Sequence, residues 1–188
     1  MTHATLATNK RHHHDVRGMA PRIVIVIARP LGPPMIDPET QLASFFAAYE
    51  PARAELGRAL RAKLRARLPG FFEIVYVYEN QNALVISYSP TEHGYEGLCS
   101  LALHPGKVGL YFTRGALLSA SDPKKLLQGR GTGVRHIVMN AVADFDRVEI
   151  EALMVAALKR ANVELDANST NVVIIRADEQ KKRARRKA

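Results

Sequence analysis

The stretch Glu73-Ile74-Val75-Tyr76-Val77-Tyr78-Glu79-Asn80-Gln81-Asn82-Ala83-Leu84-Val85-Ile86-Ser87-Tyr88-Ser89 decides the fold. Ile74, Tyr76 and Tyr78 alternate with Glu73, Val75 and Val77, the two-residue period of a strand. Residues 83–89 repeat the β-branched and aromatic pattern, and Asn80-Gln81-Asn82 between them supplies turn residues, so the stretch predicts a hairpin.

Moving downstream, residues 90–97 favour no long element, residues 98–103 read as a third strand and Pro105-Gly106 as a turn. Residues 107–113 read as a fourth strand with Val108, Leu110 and Phe112 on one side. An irregular stretch over 114–133 holds Asp122-Pro123 and Gly129, Gly131 and Gly133; a fifth strand follows over 134–140. Asp146 with Glu149 reads as a capping box, and the helix after it lines up Ile150, Leu153, Met154, Ala157 and Ala161. Residues 172–175 can form a short extra strand.

Upstream, Leu42, Phe45, Phe46 and Tyr49 fall at i, i+3, i+4 and i+7, one apolar stripe of a helix. Asp37 can cap that helix with Pro38 at its first position. Pro51 breaks the run, so two helices or a bend are expected. In the second, Leu56, Leu60, Leu64 and Leu68 recur every four residues, with Arg53, Arg58, Arg61, Lys63, Arg65 and Arg67 between them, and Pro69-Gly70 stops it. Hairpins flanked by helices argue α+β: an antiparallel sheet of about five strands with two N-terminal helices and one C-terminal helix packed on it. The domain is expected over residues 37–163, with a basic tail over 164–188. Residues 1–36 read as a disordered leader, and a start at Met35 would place residues 1–34 upstream of the true beginning.

The 188 residues carry 27 Lys+Arg and 18 Asp+Glu, a net charge of +9. Residues 1–34 hold five basic and one acidic side chain, 35–165 fifteen and fourteen, and 166–188 seven and three. The excess therefore sits at the two ends. The single cysteine, Cys99, excludes an intrachain disulfide framework and fits a reducing compartment. The Ile23-Val24-Ile25-Val26-Ile27-Ala28 run is too short for a signal-peptide core, and no apolar run reaches the ~18–20 residues of a membrane span. A cytoplasmic protein is expected, with no membrane partner.

Three stretches resemble a known family: Leu68-Pro69 through Glu73 to Tyr78-Glu79-Asn80-Gln81-Asn82-Ala83-Leu84-Val85-Ile86, then Leu110-Tyr111-Phe112-Thr113-Arg114-Gly115-Ala116-Leu117-Leu118, then Asp122-Pro123 through Leu126-Leu127-Gln128-Gly129-Arg130-Gly131 to Val134-Arg135-His136-Ile137. Over residues 37–161 the chain is similar to the YdhG-like family, domain of unknown function 1801. That resemblance implies a compact α+β fold, frataxin-like in shape, starting near Met35. One branch is described as a frataxin-type iron chaperone, so Fe²⁺ is the cofactor or cargo the resemblance implies; the residues themselves make no cofactor evident. Fe²⁺ is served by oxygen ligands, and frataxins carry acids on the first helix and an early strand. Here the second helix has one acid, Glu55, against six basic residues, a surface that would repel cations.

The candidate sites each carry an alternative. Tyr78, Asn82 and Tyr88 on the hairpin, with Arg114 and Arg135, can line a small-ligand pocket, or the tyrosines, with Tyr76 and Tyr95, can serve core packing. Gly129-x-Gly131-x-Gly133 leads into a strand rather than a helix, so turn chemistry outweighs a phosphate loop, though Arg114, Arg130 and Arg135 keep an anion pocket in view. Asp144, Asp146 and Glu149, with Glu151, are the best weak metal candidates, against the ordinary acid bias of a helix start; Glu92-His93-x-x-Glu96 is next. His104 and His136 lie in strand patterns and read as structural, and His12, His13 and His14 sit in the leader without geometry. Arg58, Arg61 and Arg65 on the basic helix, and Lys181, Lys182, Arg185 and Arg186 in the tail, are nucleic-acid candidates; the default for the helix is a solvated face. The tail has no aromatic residue for base stacking. The function expected is a small non-enzymatic domain binding a ligand, metal or protein partner. The alternative is a nucleic-acid-associated accessory protein.

Overall fold

A computed structural model of the chain describes residues 36–176. The leader over 1–34, its histidines, and the tail residues Lys181, Lys182, Arg185 and Arg186 lie outside the described residues. The fold is α+β. Helices α1 (Pro38–Ala47) and α2 (Pro51–Arg67) precede strands β1 (Phe72–Tyr78), β2 (Ala83–Ser89), β3 (Cys99–Leu103), β4 (Val108–Phe112) and β5 (Arg135–Met139). Helix α3 (Val148–Ala161) and strand β6 (Val172–Ile175) follow.

Local chemistry sets the helix boundaries. Asp37 caps α1: its carboxylate accepts the Thr40 amide at 3.0 Å, and Pro38 opens the first turn. Glu50 does the same for α2, accepting the amides of Ala52 (3.0 Å) and Arg53 (3.2 Å), so Pro51 begins a new helix. The expected cap at Asp146 is corrected: Arg147 stands at the N-cap of α3 and makes no side-chain cap. Asp146 faces Lys63 instead, and Asp144 accepts the amides of Asn140 (2.7 Å) and Ala141 (3.0 Å) at the preceding 3₁₀ turn.

The sheet order is β5-β4-β3-β2-β1-β6. The first five strands form an antiparallel meander, as expected, but β6 pairs in parallel with β1, so the sheet is mixed. The sixth strand lies within the segment read as a tail. It returns to β1 because α3 carries the chain across the sheet face first, which makes the crossover a parallel pair requires. Asn171 fixes it, its amide donating to the carbonyls of Leu68 (2.7 Å) and Phe71 (3.0 Å).

All three α-helices cover one sheet face. Leu60 and Leu64 of α2, with Leu68 at its C-cap, bury there with Leu42 and Phe46 of α1 and Leu153 and Met154 of α3, against Val75, Ile86, Leu101, Leu110 and Ile137. These five sheet positions are paired in register across β1 to β5. The opposite face carries the row Ile74, Ser87, Ser100, Tyr111 and His136. No helix among the described residues is long and apolar enough to cross a membrane.

Candidate functional site

A cleft of about 290 Å³ opens at one end of the helix layer. Its floor is Leu98, Phe112, Leu118 and Ala157, all buried and continuous with the core. One wall is the C-terminal turn of α3, with Arg160 and Ala161; the other is the loop over residues 90–97, contributing Pro90, Tyr95, Glu96 and Gly97. Arg114 enters from the end of β4, where it precedes a 3₁₀ run, Gly115–Ser121, that brings Leu118 onto the floor. Gly115 allows this turn because its α-carbon lies against Arg135, where an added Cβ would meet the Arg135 Cβ at 2.5 Å.

The polar groups of the cleft are few. Glu96 accepts the Thr91 hydroxyl, which ties the two ends of the loop wall. Ser89 Oγ, at the end of β2, donates to the His93 carbonyl of the loop at 2.9 Å, and Tyr95, 77% exposed, stacks on the His93 ring. Among the described residues, the guanidiniums of Arg114 and Arg160 have no carboxylate or hydrogen-bond partner.

That vacancy contrasts with α2. Arg61 makes a two-pronged pair with Glu73, Nε to Oε1 at 3.0 Å and Nη2 to Oε2 at 2.5 Å, and it also holds Glu39 at 2.8 Å. Arg65 bridges Glu39 (2.6 Å) and Glu73 (3.1 Å). Glu73 is fully buried, and the Arg61 hydrogen bond leads the effects that hold the Glu39 carboxyl at about 2. Burial opposes the charge of Arg61, but its bonds to Glu39 and Glu73 outweigh that and raise its pKa. Lys63 meets Asp146 (2.6 Å), Arg67 meets Glu151 (2.6 Å), and Arg58 lies over the Phe46 ring at 5.5 Å with Glu55 nearby. The expectation of a solvated basic face is therefore corrected. Carboxylates from α1, β1, α3 and the turn before α3 engage Arg61, Lys63, Arg65 and Arg67, so Arg61 and Arg65 present little free charge to a polyanion, while Arg58 stays exposed with only Glu55 of its own helix at 3.8 Å. Two further depressions, of about 230 and 420 Å³, lie over these matched pairs.

The ligand-pocket candidates do not converge. Tyr78 sits on the sheet face away from the helices, with Tyr76 beside it at 6.2 Å between ring centroids. Tyr88 is on the opposite face, fully buried next to its cross-strand neighbour Glu73; burial, then the Glu73 charge, push its hydroxyl well above the usual tyrosine range. Asn82 adopts φ 47° at the hairpin turn, and its carbonyl accepts the Tyr49 hydroxyl at 3.1 Å. Arg135 donates to the carbonyls of Gly131 (2.6 Å) and Val134 (3.0 Å), pinning the glycine-rich loop. Gly129 and Gly131 have φ of 120° and 84°, the backbone that favours glycine. Of the five candidates, Arg114 alone lines the cleft.

The metal candidates are likewise separated. Asp144 accepts two backbone amides, Asp146 faces Lys63, and Glu149 pairs with Lys124 and Arg147. Among the described residues, no group of three or more His, Cys, Asp or Glu is placed to hold a metal ion. His104 and His136 flank Tyr111, with the His136 ring stacked on it at 4.9 Å; burial first, then Lys107, lowers both imidazole pKa values.

Sequence reasoning passed over Arg160, Leu98 and Leu118. A usable signal was present: Ala157, buried, and Ala161, at the exposed end, are small residues one turn apart on α3 beside Arg160, where larger side chains would fill the cleft. In comparisons with known proteins, no family model, curated protein or solved structure matches this chain.

Proposed function

We propose that the chain is a YdhG-like binding domain without catalytic activity, holding a small, largely apolar molecule in the cleft between α3 and the 90–97 loop. One observation carries this reading: a concave site of about 290 Å³ whose floor is buried core side chains and whose rim holds a few polar ones. Ligand sites have that character, and the volume lies just below the usual range, which selects a small occupant. Iron handling has less support, because Asp144, Asp146 and Glu149 are each already engaged by a cation or by backbone amides. Nucleic-acid binding rests on the tail, since Arg61, Arg65 and Arg67 of α2 are matched by carboxylates of the fold.

Amide chemical-shift mapping with a panel of small apolar molecules, charged and uncharged, tests the reading. Shifts concentrated at Gly97, Leu98, Arg114, Leu118 and Ala157 are expected. Shifts concentrated elsewhere, or none for any compound, would overturn it.

A further inference from the structure

We infer that the cleft selects an amphipathic monoanion: an apolar body on the Leu98–Phe112–Leu118 floor and a carboxylate headgroup held by Arg114 and Arg160. This rests on the reading of the cleft as the binding site and adds the chemical class of its occupant.

The argument is one of unmatched charge. On α2, Arg61, Lys63, Arg65 and Arg67 meet carboxylates, even a buried one at Glu73. At the cleft, two exposed arginines from separate elements, the end of β4 and the last turn of α3, line the same apolar hollow, and neither has a counter-ion among the described residues. Guanidiniums bind carboxylates through paired, charge-assisted hydrogen bonds, and they gain most where apolar walls exclude water. Glu96 is the one carboxylate of the lining, so the polar rim carries a net single positive charge. A monoanion matches that balance. A dianion exceeds it, and a cation is repelled by both arginines. The size follows from the volume: about 290 Å³ suits a medium-length acyl chain or a single substituted ring.

Calorimetric titration of the full chain with octanoate, 1-octanol, octylamine and octyl phosphate separates the possibilities. Octanoate is expected to bind at least ten-fold more tightly than 1-octanol, with octyl phosphate weaker than octanoate and octylamine unbound. In an Arg114→Gln/Arg160→Gln double variant, both at the rim of the cleft, octanoate is expected to fall to the affinity of 1-octanol, which itself stays unchanged. Ala161→Trp, an exposed rim substitution that fills the mouth, is expected to abolish both. Equal binding of octanoate and 1-octanol to the native chain sinks the monoanion preference and leaves the cleft standing as a binding site. Binding of neither, or octanoate binding untouched by Ala161→Trp, sinks the two together.

Discussion

Glu73 is an acid at a position whose neighbours along the strand, Val75 and Val77, face the helices. It is fully buried there and held by Arg61 and Arg65. Removing it strands two guanidiniums against an apolar layer, and breaking a buried pair from one side costs several kcal/mol. Glu73→Ala is therefore expected to lower stability by about 3 kcal/mol, at the low end because Arg61 keeps Glu39. Urea unfolding measures it, and a loss below about 1 kcal/mol would mean the pairing is superficial. Cys99 shows the opposite case, a polarizable group with no charged partner. Burial pushes its thiol up to about 12, so the thiolate that reacts with disulfide reagents is scarce at neutral pH. Its labelling by an aromatic disulfide is expected to proceed at the rate of global unfolding; rapid labelling of the native chain would contradict its burial.

The helices and the meander were readable from sequence because their signals are local. The Leu60–Leu64–Leu68 stripe, the Asp37-Pro38 start and the hairpin turn at Asn82 each depend on residues within a few positions. The destination of the α2 arginines was not, because their partners Glu39, Glu73, Asp146 and Glu151 come from four separate segments. The cleft was hidden for the same reason: Arg114 and Arg160 are brought together by packing, and a charged residue in a helical last turn otherwise reads as a match to the helix dipole. The parallel placement of β6 likewise needs Asn171 to reach the carbonyls of Leu68 and Phe71. Asn171→Ala removes both hydrogen bonds and is expected to cost about 1–3 kcal/mol. Hydrogen exchange checks where the loss falls: Val172–Ile175 should lose protection while β2 to β4 keep theirs.

For the molecule as a whole, net charge divides between a nearly balanced stretch, +1 over residues 35–165, and ends of +4 each. The ion pairs of the domain respond to acid. Glu39 has its carboxyl lowered from 4.5 to about 2, so its contribution is complete above about 4.5 and disappears as pH falls toward 2. Glu39→Gln is expected to flatten the fall in stability over that window, read from urea midpoints at a series of pH values. An unchanged slope would remove Glu39 from the acid response. The basic C-terminal stretch responds to salt. Residues 178–188 hold six basic and two acidic side chains. A chain ending at residue 176 is expected to elute from immobilised heparin at clearly lower salt than the full chain, whereas Arg58→Ala is expected to change elution little. Equal elution of the full and shortened chains would move the polyanion contact into the domain.

The pairing of β6 with β1 has a kinetic consequence. The first five strands each meet the next within at most 22 intervening residues, whereas the Asn171 to Leu68 contact spans 103 positions. Loop closure over that distance is entropically dearer, and long-range pairings form slowly. The meander and α2 can therefore assemble first, leaving the outer edge of β1 bare until the last strand arrives. During that interval the chain presents an apolar, hydrogen-bond-hungry edge to any neighbour, and concentration-dependent aggregation during refolding should rise when β6 is weakened.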